Sequence, residues 1–203
     1  MEVFMNFQAL LKRVQNLITK PAAEWDAIRG ETISNADLVV KNAAILAAVP
    51  AIASFIGFAL IGVSYGFGTF RWPAGNALMW AIFYYVFMVA GVVGLGFIID
   101  ALAPNFGSTK DLNASFKVAV FAYFPAWLGG ILFIIPSLSV LMWIVSLYSL
   151  FLLYLGIQKL KNPPADKLMV YFIVSVVVMA VIFYLAYLLS NTIAVGRPMM
   201  PRL

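Results

Sequence analysis

The sequence predicts an all-α, polytopic membrane bundle of five transmembrane helices, preceded by short N-terminal amphipathic interfacial helices. Five long apolar runs, at residues 42–64, 76–99, 118–135, 138–157 and 168–190, contain none of the chain's eight acidic and thirteen basic residues. Each is near the roughly 20 residues that a helix needs to cross the hydrocarbon core. Hydrophobic residues make up 64% of the 203, where soluble domains hold about half. The organisation that follows is an amphipathic cytoplasmic segment at 1–37, a membrane domain at 38–191 and a short non-cytoplasmic tail at 192–203.

The same composition removes function classes. Ionisable side chains at membrane depth mark most ion relays and proton pathways, and the runs have none. Zero cysteines and zero histidines exclude disulfides, thiolate nucleophiles, imidazole ligands and any Ser-His-Asp arrangement. Neither an enzyme nor a metal or cofactor site is expected. The net charge of +5 sits in short segments flanking apolar runs, where orientation and anionic headgroups explain it without nucleic acid.

Orientation follows from Lys and Arg counted loop by loop. With the N-terminus inside, ten of the thirteen fall inside and three outside, as the positive-inside rule requires. An N-in, C-out protein of the inner (cytoplasmic) membrane is expected. All eight acids fall on the inner side too. No signal peptide is visible, because Lys12 and Arg13 interrupt the first apolar stretch instead of preceding it.

Along the chain, Val3, Phe7, Leu10, Leu11, Val14, Leu17 and Ile18 fall on one helical stripe, with Asn6, Lys12, Arg13 and Gln15 largely opposite. Such a helix either lies in the inner interface or packs on the inner end of the bundle. Pro21 suits the first turn of a second short helix, which carries Trp25 as an interfacial anchor beside the anchoring cations Lys12 and Arg13. Ser34 and Asp37 form a variant capping box that opens the first span.

The outer segment 65–75 is aromatic and glycine-rich (Tyr65, Phe67, Phe70, Trp72), as an interfacial belt should be. Inside, Gly107 marks a turn, with Ser108 or Thr109 capping the third span. Ile135, Pro136 and Ser137 join spans three and four as a tight hairpin. After span four, Lys159 and Lys161 suit a helix C-terminus, and Asp166 suits the next N-terminus. Small residues at four-residue spacing (Ala43, Ala47, Ala51; Ala90, Gly94) allow close approach of helices. Gly91, Gly94 and Gly96 lie inside an apolar helix and read as packing rather than as a phosphate loop.

Three stretches carry a family resemblance. They are LITKPAAEWDAIRGE at 17–31, AYFPAW at 122–127, and YSLFLLYLGIQKLKNPPADKLMVY at 148–171. Together they resemble the bacterial-type members of the Yip domain family (Ypt/Rab-interacting proteins). The resemblance implies a five-span integral membrane protein. The long cytosolic N-terminal region of many eukaryotic members has no counterpart, so their trafficking role and small-GTPase association are not carried over.

Candidate sites are few. Pro125, eight residues into the third run and followed by Gly129 and Gly130, frees a carbonyl and kinks the axis; such kinks either pack or build midplane sites. Tyr123, Tyr148 and Ser149 are its polar neighbours, and Pro50 poses the same choice. Asp100 and Lys117, with Lys41 and Asn42 at similar depth, form a rim that either binds headgroups or snorkels. Lys159, Lys161 and Lys167 make a basic inner patch, while Glu24 and Asp26 point to different faces of a helix. These residues suggest a non-enzymatic protein that organises lipids or partner proteins at the inner face, with membrane lipids, further copies or other membrane proteins as partners. The alternative is a carrier or scramblase for a lipid or small apolar solute, using the kinked third span.

Overall fold

A computed structural model describes residues 7–64 and 68–194, without the side chains of residues 7, 143, 182, 183 and 185–194. Val3 of the N-terminal stripe, the belt residues Tyr65 and Phe67, and the tail cations Arg197 and Arg202 lie outside the described residues. Two short helices, α1 (Phe7–Thr19) and α2 (Pro21–Gly30), form a hairpin across one end of the bundle. Four long rods follow: α3 (Asn35–Ile61), α4 (Ala74–Phe106), α5 (Leu112–Ile134) and α6 (Pro136–Lys161). The C-terminal helix is α7 (Ala165–Ala194).

The four rods are each long and apolar enough to cross a membrane. The fifth apolar run falls on α7, which is not among them. Its side chains are described without a gap only as far as Val181, a stretch shorter than the roughly 20 residues of a crossing. The expectation of five transmembrane helices is therefore corrected: among the described residues, four helices are long and apolar enough to cross. An outside C-terminus depends on the fifth crossing, and residues 195–203 lie outside the described part.

Local chemistry sets the ends of the rods. Ser34 caps α3 by accepting from the Asp37 N–H at 3.0 Å, while the Asp37 carboxylate turns to Lys41 at 2.8 Å instead of closing the box. The first winding of α3, Leu38–Ala43, is a π-helix in which the Asn42 amide donates to the Asp37 carbonyl at 3.1 Å. At the far end Gly62 takes φ +88°, a backbone that glycine tolerates without a Cβ clash. The chain then makes a two-residue antiparallel pair, β1 (Val63–Ser64) with β2 (Thr69–Phe70). Behind it Trp72 stacks on Phe58 with centroids 4.7 Å apart.

Helix α5 is the axis of the core. Every residue from Ala114 to Ala122 is buried, among Leu38, Val92, Leu95, Ile99, Leu152 and Ile157 from the surrounding helices. Its cap is Asp111, whose carboxylate accepts from the Ala114 N–H at 2.9 Å, and not Ser108 or Thr109. The Ser108 hydroxyl is committed elsewhere, to the Lys161 carbonyl at the end of α6.

Glycine and alanine set the helix spacing, though not all at the positions expected. Ala43, Ala47 and Ala51 are buried, as is Gly96 against Phe116. Ala90 is exposed and Gly94 faces open space, so the close-packed side of α4 is the Gly96 side. The third-span pair also packs: Gly130 presses on Pro50 of α3, and Gly129 on Val145 of α6.

Candidate recognition face at the basic end of the bundle

The starts of α3, α5 and α7, the ends of α4 and α6 and the α1–α2 hairpin meet in one polar layer. Leu10, Val14 and Leu17 turn the apolar stripe of α1 into the bundle, while Leu11 and Ile18 stay exposed on the other side. The helix therefore packs on the bundle through one edge of its stripe and keeps the second edge outward. Trp25 of α2 is fully buried, shut off from headgroups rather than anchoring among them. A Cβ on Gly156 would stand 2.8 Å from its ring, so the α6 glycine makes room for the indole.

The hairpin is held by charge as well as by apolar contact. The Arg13 guanidinium forks onto the Glu31 carboxylate, one contact at 2.8 Å, a geometry in which both partners are fixed. It lies 3.6 Å from Glu24 and over the Phe121 ring at 4.9 Å. Asn16 donates to Glu24 at 2.8 Å. Tyr148 of α6 donates to the Leu17 carbonyl at 2.8 Å, beside that of Ile18 at 3.1 Å, across the last turn of α1. Lys159 pairs with Asp26 at 2.8 Å, and Arg29 donates to the Lys159 carbonyl.

Asp100 and Lys117 are not brought together. Lys117, 5% exposed, donates to the Glu31 carbonyl. Asp100 instead faces Lys161, whose side chain is 1% exposed, at 3.5 Å. The same Asp100 oxygen accepts the Asp111 N–H at 2.9 Å and the Ser115 hydroxyl at 3.4 Å. The Lys161 ammonium also donates to the Asp111 carbonyl at 3.1 Å. This knot ties the ends of α4, α5 and α6. Tyr171 of α7, stacked on Phe106 with centroids 5.1 Å apart, donates to the Ile99 carbonyl just before it.

Several of these members escaped the sequence reading. Glu24 and Glu31 lie within the resemblance at 17–31 and Tyr171 closes the one at 148–171, yet nothing in their spacing names their partners; Ser115 and Asn113 carried no signal at all. Asn113 donates to the Ile33 carbonyl and the Asn35 side chain, both at 2.7 Å, fixing the link before α3. Tyr123 and Pro125 belong to a different place, the middle of the bundle. Lys12 and Lys167 are exposed. Ser149 Oγ and the indole nitrogens of Trp25 and Trp127 are buried without a hydrogen-bond partner among the described residues.

The Arg13 fork yields a direct expectation. Hydrogen bonds to charged groups contribute about 1.5–3 kcal/mol, so Arg13→Gln should raise the open population of the hairpin roughly tenfold or more. Tryptic cleavage after Arg29, in the last turn of α2, should accelerate to match in detergent. An unchanged rate would mean that Leu10, Val14, Leu17 and Trp25 hold the hairpin alone.

Chemically, the layer binds itself. Apart from exposed Asp166, its carboxylates are engaged by internal cations, backbone N–H groups or hydroxyls, and the described residues contain no group of three His, Cys, Asp or Glu that could hold a metal. Residues 16–188 match the Yip1 domain family. The chain is 30% identical over 162 residues to the inner membrane protein YohC of Escherichia coli K12, covering 75% of this chain and 80% of that protein. The YohC of E. coli O6:H1 matches to the same extent. No solved structure matches the chain. With the family match running from within α1 into α7, the chain belongs to the Yip1 domain family.

Proposed function

We propose that this is a non-enzymatic, multi-pass protein of the inner membrane, with the α1–α2 hairpin on the cytoplasmic side, and that its basic end organises anionic lipids and, through them, partner proteins. The similarity to inner membrane protein YohC supports the location. One observation carries the rest. Glu24, Glu31, Asp26, Asp37 and Asp100 are engaged by Arg13, Lys159, Lys41 and Lys161, and Asp111 caps α5. Lys12, Lys20, Lys110 and Lys167 are left exposed, with no acidic partner among the described residues.

Exposed Leu11 and Ile18 lie on the outer side of α1, Leu11 next to Lys12 and Ile18 two residues before Lys20. An apolar edge flanked by cations suits the headgroup boundary, where each Lys near an anionic surface contributes about 1 kcal/mol. Asp166, exposed in the first turn of α7, offsets this surface in part.

The test is lipid selectivity in mixed bilayers, read by energy transfer from the protein to headgroup-labelled lipids. Wild type should enrich phosphatidylglycerol over phosphatidylcholine. Replacing Lys12, Lys20, Lys110 and Lys167 together by Gln should remove most of that enrichment, about fivefold per lysine in contact with lipid. Equal enrichment of the two lipids around the wild-type protein would end this reading.

A further inference from the structure

Halfway along the bundle, away from the basic end, α4, α5, α6 and α7 leave a cavity of about 160 Å³. Leu95, Leu150, Leu153 and Met179 supply apolar walls, Tyr123 supplies the one hydroxyl, and exposed Ala180 stands at the mouth. Leu95 lies five residues before Asp100 and Leu153 eight before Lys161. At 1.5 Å per residue, the cavity is on the order of 10 Å inside the inner boundary.

The cavity coincides with the break in α5. Pro125 has no N–H to give the Phe121 carbonyl, and the helix stops at Ala122 and restarts at Phe124. Tyr123, between them, takes φ −89° and ψ −5° and bonds back to the Val120 carbonyl at 3.3 Å. That turn sets the tyrosine at the cavity wall. Tyr123 is half-buried, and its hydroxyl makes no hydrogen bond to another described residue, which leaves it free to pair with a guest in an otherwise apolar setting.

We propose that this cavity is a binding site for a small uncharged molecule of monocyclic-aromatic size, mostly apolar and carrying one oxygen that pairs with Tyr123. Apolar cavities of about 150 Å³ bind benzene or xenon, so the volume fits such a molecule and is too small for a whole phospholipid. The apolar lining rejects charge, and the lone hydroxyl selects for a single polar atom. A site of this kind is independent of the lipid-organising role of the basic end.

Fluorine NMR of the full chain in detergent, with 4-fluorophenol and fluorobenzene as probes, tests it. Wild type should give a saturable bound signal for both, with the phenol favoured roughly three- to tenfold, the range of one net hydrogen bond. Tyr123→Phe should keep fluorobenzene binding and lose the phenol preference. Ala180→Phe, at an exposed position that does not burden folding, should block both probes. Signals that match partition into protein-free micelles, or a phenol preference that survives Tyr123→Phe, would overturn the proposal.

Discussion

Replacing Lys161 by alanine is expected to destabilise the bundle by about 3–5 kcal/mol, the usual loss when one member of a buried ion pair is removed. The side chain of Lys161 is 1% exposed and that of Asp100 16%. The Asp100 carboxylate would keep the Asp111 N–H and the Ser115 hydroxyl but lose its countercharge in a poorly solvated layer. Much of the cost is that stranded charge, not the worth of the pair. Lys161→Met combined with Asp100→Asn should therefore recover most of the stability, since the Asn oxygen can still accept both protein donors. Unfolding in mixed micelles by a denaturing detergent measures all three variants. A double mutant as unstable as Lys161→Ala would show that the pair is held for its attraction and not tolerated for its geometry.

Substituting Gly57 by valine should abolish the folded bundle. A Cβ at that position would lie 2.0 Å from the Phe133 carbonyl oxygen, which belongs to backbone and cannot rotate away. Gly130 is similar, its Cβ falling 2.3 Å from Pro50. Overpacking in a dense interior costs about 1–3 kcal/mol and sometimes more, and here two helix axes must separate along their length. Either valine variant should give little monodisperse protein in detergent. Gly94→Ala is the control, because nothing stands within 4 Å of its Cβ and a mid-helix Gly→Ala exchange stabilises by about 1 kcal/mol. If Gly57→Val purified and unfolded like wild type, the close crossing of α3 and α5 would not exist in solution.

Both effects lie where sequence reading is weakest. Apolar run length finds a membrane rod without knowing its neighbours, which is why α3 to α6 were legible. It does not say which of two small-residue stripes faces inward: on α4 the Ala90 and Gly94 spacing pointed to the wrong side, and Gly96 makes the contact. The Asp100 partner was misjudged for a related reason. Lys117 lies at similar depth along the chain, but α5 turns it toward the Glu31 carbonyl, while the last residue of α6, Lys161, faces Asp100.

The sequence by itself determined that this is a helical membrane protein, that its charges collect at one end, and that its apolar interior has no ionisable chemistry. Hydropathy and charge act residue by residue against the solvent, so they are written in the order of the chain. Only the tertiary structure decided which charges neutralise one another and which remain exposed. It also decided that Trp25 and Arg13 lock a hairpin onto the bundle, and that Pro125 opens a cavity beside Tyr123. Those outcomes depend on distances between residues far apart in the chain, and helix crossings set by packing, not by composition, fix them.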